Sequence, residues 1–171
     1  MIHLYIGNGK GKTTAAIGLA IRALGWNKKV LIAQFLKCSQ TGEINFLSKT
    51  EDAVVMRPNM RHKGFVWNMD DKAIKETKED IEKGFSDISA NLLNGEYSLA
   101  ILDEILDVID LGFISEDRVL ELFERLPETE FVLTGRKASI KLRDRAHYIT
   151  NMTKEKHPFD EGLQARKGIE Y

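Results

Sequence analysis

The chain has 171 residues, of which 43% are hydrophobic and 30% are charged. This length and balance are typical of one soluble globular domain rather than of a disordered or membrane-embedded chain. Because 25 basic residues nearly balance 26 acidic ones and the net charge is −1, no general field attracts nucleic acid or an anionic membrane. We therefore expect one domain spanning residues 1–171 that binds neither nucleic acid nor membrane.

The beginning of the chain and its cysteine content favour the cytoplasm. A single cysteine cannot form an internal disulfide, and the opening MIHLYIG lacks the basic and apolar regions of a signal peptide. Charged residues interrupt the longest apolar stretches well before the roughly 20 residues needed to cross a bilayer. We expect a cytoplasmic protein without a transmembrane helix.

Predicted strands and helices alternate along the chain. Runs and alternations of apolar residues predict strands, whereas apolar residues at helical spacing, with suitable capping residues, predict helices. In chain order the predicted elements are strand 2–6, helix 13–24, strands 30–36 and 53–56, helix 70–93, strand 99–102, helix 115–126, strand 131–133, helix 138–145 and strand 148–149.

This alternation predicts a three-layer α/β fold, in which helices cover both faces of a mostly parallel sheet. The apolar runs 30–36 and 53–56 are typical of strands in the sheet interior, buried on both faces. Ligands of such sheets bind at the carboxyl ends of the strands. The tail 152–171 shows no clear periodicity, and a segment of that length without secondary structure is more often functional than idle.

The stretch GNGKGKTT, residues 7–14, joins the first predicted strand to the first predicted helix. Glycines let backbone N–H groups point at phosphates, and the helix presents its positive end to the same anion. A lysine adds charge, and a threonine hydroxyl can bind Mg²⁺. We assign Lys12 to the phosphates and Thr13 to the metal. The predicted nucleotide-binding residues of the loop are Gly7, Asn8, Gly9, Lys10, Gly11, Lys12, Thr13 and Thr14.

The loop departs from the general phosphate-binding pattern, because Ile6 occupies the place of the usual first glycine. The alternative is a glycine-rich turn that binds nothing. A second stretch argues against this alternative: strand 99–102 ends in Asp103 and Glu104, at the strand ends where carboxylates can hold Mg²⁺. We predict a metal site formed by Thr13, Asp103 and Glu104, and the sequence leaves open which carboxylate binds the ion directly.

Other polar residues follow predicted strands at the same edge. Arg136 comes after strand 131–133 and is either positioned for the nucleotide or an ordinary surface arginine. Gln34, Lys37 and Glu43 flank the loop after strand 30–36. They either contact the nucleotide or are simply solvated.

Several further stretches accompany the loop in a fixed order: QFLK, GE at 42–43, GFVW at 64–67, LDE at 102–104, TGR at 134–136, KHPFDEG and GIEY. Together they resemble the ATP:corrinoid adenosyltransferases of the phosphate-loop type. The resemblance covers nearly the whole chain, and the short loop with three residues between Gly7 and Gly11 is itself a trait of that family. It implies a fold like that of RecA and other phosphate-loop NTPases.

The resemblance implies transfer of the 5′-deoxyadenosyl group of ATP to the Co(I) of a corrinoid, with release of triphosphate. Since reduced cobalt is the nucleophile, the protein needs only to align the reactants and stabilise the leaving group. Lys12 and Thr13, with Mg²⁺, would then hold the departing triphosphate. The 5′-carbon must face the corrinoid, so we expect the triphosphate to lie in the loop in a different orientation from that in a hydrolysing ATPase.

Phe65 and Trp67 are the other residues to which the resemblance gives a catalytic role. Two residues apart in an extended segment, their rings would project to the same side. The resemblance implies that they cover the lower face of the corrinoid and exclude an axial ligand, which makes Co(II) easier to reduce. The alternative is that both rings belong to the core.

The resemblance also implies partners and a role for the tail. It implies a homodimer, a reducing flavoprotein as partner, and a tail near the active site, with His157, Phe159 and Gly162 shaping the pocket. Two other functions stay open at this point: a nucleotide-gated corrinoid carrier, and an ordinary phosphate-loop ATPase or kinase.

Overall fold

A computed structural model describes residues 1–37, 40–62, 64 and 66–170. In this part of the chain six parallel strands form one sheet in the order β3-β2-β4-β5-β1-β6. The strands are β1 (Ile2–Ile6), β2 (Val30–Gln34), β3 (Ala53–Met56), β4 (Leu99–Asp103), β5 (Glu130–Thr134) and β6 (Tyr148–Asn151). The predicted α/β class is confirmed, and β5 separates the strand before the glycine-rich loop from the strand that ends in Asp103, the RecA-like arrangement.

Six α-helices connect or follow these strands in the described residues. They are α1 (Lys12–Leu24), α2 (Gly42–Leu47), α3 (Asp71–Asn94), α4 (Ile105–Asp110), α5 (Glu116–Arg125) and α6 (Ile140–Arg145), with short 3-10 helices at Val66–Asn68 and Pro158–Glu161. The Asp70 side chain accepts a hydrogen bond from the Ala73 amide, and Ser115 caps α5 in the same way through the Asp117 amide. These two caps are confirmed, whereas α2 and α4 were not predicted.

Side chains of the central strands alternate between two hydrophobic clusters, one on each face of the sheet. Val30 and Ile32 of β2 join Ala16, Ile17 and Ala20 of α1 on one face. The intervening residues of β2, with Ile81, Phe85 and Ile88 of α3, join the cluster on the other face, where α4 and α5 also pack. Because alternate residues point to opposite faces and both faces are covered, every position of the central strands β2 and β4 is buried. This explains why these central strands have continuous apolar sequences.

Three predicted features need correction. β3 pairs only with β2 and lies at the edge of the sheet, so its residues are half-buried instead of buried on both faces. β2 ends at Gln34, two residues before the predicted end of that strand. α6 begins at Ile140 instead of 138, because the Ser139 hydroxyl accepts a hydrogen bond from the Leu142 amide and caps the helix there.

None of the helices within the described ranges is long and apolar enough to span a bilayer.

Candidate functional site

The glycine-rich loop lies between the end of β1 and the start of α1, packed against the chain that follows β6. The Gly7 amide donates a hydrogen bond to the Arg136 carbonyl oxygen at 2.9 Å, and the Gly9 amide donates to the Met152 carbonyl oxygen at 2.7 Å. A Cβ atom added to Gly9 would lie 2.7 Å from that same Met152 oxygen. Gly11 has a φ of +112°, a left-handed conformation that favours glycine. Close contact with the tail therefore favours glycine at position 9, and the backbone conformation favours it at position 11.

Lys12 lies inside the loop. Its Nζ donates hydrogen bonds to the carbonyl oxygens of Gly7 at 2.7 Å and Gly9 at 2.8 Å. Burial lowers the pKa of Lys12, while the negative charge of Asp107 opposes that shift. The ammonium therefore sits at the centre of the loop backbone, where the sequence predicted a phosphate contact.

Asp103 ends β4 and is completely buried. Its Oδ1 accepts hydrogen bonds from the Thr13 hydroxyl at 2.9 Å and the Thr134 hydroxyl at 2.7 Å. Its Oδ2 accepts from Lys37 Nζ at 2.8 Å and from Gln34 Nε2 at 3.2 Å. Two of the three predicted metal residues, Thr13 and Asp103, are thus in direct contact, and four donors hold the carboxylate in place.

Glu104 follows Asp103 in a left-handed conformation with φ +65°. Its backbone amide donates to the Thr134 hydroxyl at 2.9 Å. Burial raises the pKa of the Glu104 carboxyl to about 7, the nearby Asp103 adds to the rise, and Lys37 opposes it. A cation bound nearby would therefore stabilise the ionised form of the Glu104 carboxyl group.

Arg136 connects the loop to the segment that contains Trp67. Its carbonyl accepts the hydrogen bond from Gly7, and its own amide donates to Asp107 Oδ1 at 3.1 Å. The guanidinium carbon lies 6.0 Å from the centre of the Trp67 ring, a cation–π distance. The predicted place of Arg136 at the edge of the sheet that carries the loop is confirmed.

The prediction for GFVW is wrong in one respect. Residues Val66–Asn68 form a short 3-10 helix and not an extended segment, and Phe65 lies outside the described residues. The Trp67 side chain is 67% exposed, which rules out the core alternative for this ring.

The tail contacts the loop through its first residues. The Lys154 amide donates to Asn8 Oδ1 at 3.0 Å, so the Asn8 side chain holds the tail in this structure. His157 Nδ1 accepts from the Phe159 amide at 3.1 Å and caps the 3-10 helix Pro158–Glu161. Phe159 is exposed. Of the predicted loop residues, Asn8, Lys10 and Thr14 are exposed.

Sequence reasoning missed two residues of this cluster. Thr134 bonds Asp103 and the Glu104 amide, and its signal was its place at the end of β5 within TGR. Asp107 lies one turn after Glu104 in LDEILD and accepts from Arg136. Helical spacing from Glu104 was the available signal. Burial raises the pKa of Asp107, and the hydrogen bond from the Arg136 amide opposes that rise.

Comparison with known protein families gives a match over residues 1–171 to the model described as ATP:corrinoid adenosyltransferase BtuR/CobO/CobP. The chain belongs to this family. Members of the ATP:corrinoid adenosyltransferase family are transferases, and the resemblance drawn from the motifs is confirmed.

Curated relatives agree with this assignment. The chain is 34% identical to the corrinoid adenosyltransferase of Pseudomonas aeruginosa over 176 residues, a match that covers 100% of this chain and 83% of the relative. It is 31% identical to the corrinoid adenosyltransferase of Escherichia coli over 180 residues, covering 100% and 85% of the two chains. Among solved structures, AMPPCP-bound DnaA from Aquifex aeolicus aligns with 15% identity and a TM-score of 0.46, covering 97% of this chain and 47% of DnaA.

The donor atoms of this adenosyltransferase-family site fit Mg²⁺. The Thr13 hydroxyl and the carboxylates of Asp103 and Glu104 are hard oxygen donors, the type that Mg²⁺ prefers. Across the described ranges, no three or more His, Cys, Asp or Glu side chains are arranged to hold a metal by themselves. Mg²⁺ usually binds proteins through one or two carboxylates together with substrate phosphates.

Proposed function

We propose that the chain transfers the 5′-deoxyadenosyl group of ATP to the Co(I) centre of a corrinoid and releases triphosphate. The observation that supports this best is the loop itself: Lys12 lies at its centre, beside the Thr13–Asp103 contact, in a chain that the family matches from end to end. In this reaction the electron pair of Co(I) forms the cobalt–carbon bond. The bond from the 5′-carbon to oxygen breaks, and its electron pair leaves with the triphosphate.

The residues of the chain would act on the leaving group and on alignment. Lys12 would exchange its bonds to the Gly7 and Gly9 carbonyls for phosphate oxygens, and the N-terminus of α1 faces the same anion. Thr13, Asp103 and Glu104 would hold Mg²⁺, which neutralises charge on the departing phosphates when it is bound. Preorganised charges of this kind stabilise the transition state without reorganisation.

Trp67 is proposed to contact the corrinoid, together with Phe65. The support is its exposure of 67% and its position beside Arg136. Apolar rings against the lower face of the corrin would exclude an axial ligand from Co(II) and ease its reduction. A reducing flavoprotein is proposed as the source of that electron, and the homodimer stays a prediction.

The test is an anaerobic assay with ATP, MgCl2 and chemically reduced cob(I)alamin. We expect the spectrum of the adenosylated product and one equivalent of free triphosphate. ADP with orthophosphate and an unalkylated corrin would contradict the proposal and indicate an ATPase. Tight corrinoid binding without turnover would equally contradict it and indicate a carrier.

Lys12→Ala is the matched loss-of-function variant, with Lys49→Ala as its control. Lys49 is exposed and follows α2, so its loss removes an equal charge elsewhere on the surface. We expect Lys12→Ala to lower the transfer rate by at least about 100-fold, the scale of one preorganised stabilising group. The Lys49 variant should keep the wild-type rate.

A further inference from the structure

Lys37 contacts the same two groups that are predicted to bind the metal. Its Nζ lies 2.8 Å from Asp103 Oδ2 and 3.0 Å from the Thr13 hydroxyl oxygen. The topology explains this placement, because Gln34 of β2 pairs with Asp103 of β4, so the residues after β2 pass over the end of β4. The Lys37 side chain is 23% exposed, whereas Asp103 is 0% exposed.

The hydrogen bonds of Thr13 show which electron pair of its hydroxyl oxygen the Lys37 ammonium uses. A threonine hydroxyl has one proton and two lone pairs. The proton is donated to Asp103 Oδ1, so Lys37 takes a lone pair of the hydroxyl oxygen, the kind of electron pair that a metal ion would use. On the carboxylate, Oδ2 already accepts from Gln34 as well as from Lys37. A divalent cation bound to this hydroxyl oxygen and this carboxylate oxygen would therefore have to displace the ammonium of Lys37.

The charges at Asp103 explain why a lysine lies there. A buried carboxylate is costly unless a cation or several donors compensate it. Glu104 is the next residue, so a second acidic group adjoins Asp103 and increases the need for positive charge. Lys37 supplies that charge from a flexible four-carbon side chain, which can move when another cation takes its place.

We propose that Lys37 is the counter-ion of Asp103 and competes with divalent cations for Thr13 and Asp103, so that the cation binds only together with a triphosphate. The triphosphate would give the displaced ammonium a new anionic partner, which a free metal ion does not. This inference rests on the proposed function, since it takes the metal site to be shared with the nucleotide. It makes Lys37 a positioning residue that prevents a nucleotide-free metal complex.

The experiment measures Mn²⁺ binding by electron paramagnetic resonance, first without nucleotide. Wild-type protein is compared with Lys37→Met, with the charge-preserving Lys37→Arg, and with Lys49→Met as the surface control. We expect Lys37→Met to bind free Mn²⁺ with a dissociation constant at least about tenfold lower than the wild type, since one opposing charge is removed. Lys37→Arg and Lys49→Met should bind free Mn²⁺ as weakly as the wild type. Equal or weaker binding by Lys37→Met would overturn the proposal.

The melting temperature supplies a second readout that does not depend on activity. We expect MnCl2 to raise the melting temperature of Lys37→Met by at least about 5 °C, because this variant lacks the ammonium and needs a replacement cation. The melting temperatures of the wild type and of Lys49→Met should change little. A Lys37→Met protein that folds only with the cation present supports the proposal. One that fails to fold with or without the cation contradicts it, since the metal then cannot replace the ammonium.

A last arm separates this inference from the proposed function. Mn²⁺ titrated with ATP into the wild type should bind more tightly than Mn²⁺ alone. If no Mn²⁺ binds with ATP, the proposed metal site itself is wrong. If Mn²⁺ binds with ATP but Lys37→Met gains no nucleotide-free binding, only the role of Lys37 is wrong.

Discussion

Glu104 is expected to destabilise the protein at neutral and alkaline pH when no divalent cation is present. Burial, with Asp103 close by, raises the pKa of its carboxyl from 4.5 to about 7. An acid whose pKa is raised by folding prefers to be neutral in the folded state, so the folded protein loses stability as pH rises above the unfolded pKa. The loss begins near pH 4.5 and is complete above about pH 7. Glu104→Gln keeps the shape of the side chain and removes the titration.

The magnitude follows from the size of the pKa difference. A rise in the pKa of Glu104 from 4.5 to about 7 lowers the free energy of unfolding at pH 8 by about 3 kcal/mol, since each pKa unit corresponds to about 1.4 kcal/mol. At pH 5 the unfolded state is only partly ionised, and the same two pKa values give about 1 kcal/mol. Glu104→Gln should therefore gain about 2 kcal/mol more stability at pH 8 than at pH 5.

Urea unfolding in EDTA at pH 5 and pH 8 measures this difference. Glu121→Gln is the matched control, because Glu121 is an exposed carboxylate on α5. The control should change the free energy of unfolding by less than about 0.5 kcal/mol at both pH values. If Glu104→Gln shifts that free energy equally at pH 5 and pH 8, the buried environment assigned to Glu104 is wrong.

Further substitutions test the loop, the aromatic segment and the metal contact. Gly9→Ala should lose about 1–3 kcal/mol in chemical denaturation, because its Cβ would lie 2.7 Å from backbone oxygens of the tail, whereas Gly18→Ala, with nothing within 4 Å, should gain about 0.5–1 kcal/mol. Phe65→Ala and Trp67→Ala should slow turnover from protein-bound Co(II) more than turnover from preformed Co(I); equal losses would remove the ligand-exclusion role. Thr13→Val should weaken Mn²⁺–ATP binding by about 10–100-fold, Thr13→Ser should retain it, and identical binding by both variants would contradict the contact with the metal.

The periodicity of the sequence predicted the central sheet well for a physical reason. β2 and β4 are buried on both faces, so their apolar runs are continuous and bounded by polar residues. β3 has the same kind of run but lies at the sheet edge. This position was not predictable, because the residues of a single strand do not show how many neighbouring strands it has. α4 was not predicted because it begins directly after Glu104: only Asp103 and Glu104 separate its apolar residues from those of β4, and short apolar runs do not distinguish a helix from a strand.

The candidate site was predictable where a residue follows a strand and its chemistry is specific. Lys12, Thr13 and Asp103 were assigned from the loop and the acidic strand end, and Thr13 and Asp103 are in contact. The competition at Lys37 was not predictable, because it depends on the register that sets Gln34 opposite Asp103. A lysine three residues beyond a strand looks like any solvated surface charge.

The ammonium groups of Lys12 and Lys37 are both bonded to oxygens of the protein. Lys12 donates to two loop carbonyls, and Lys37 donates to Thr13 and Asp103. A ligand must therefore offer each ammonium an oxygen that is more negative than the one it gives up, and a triphosphate with about four negative charges does so, whereas a neutral nucleoside does not. Because Lys37 leaves a buried carboxylate behind, the same exchange requires a cation to arrive with the phosphates. The roles proposed for Lys12 and Lys37 therefore predict that the site selects both a polyphosphate and a metal–nucleotide complex.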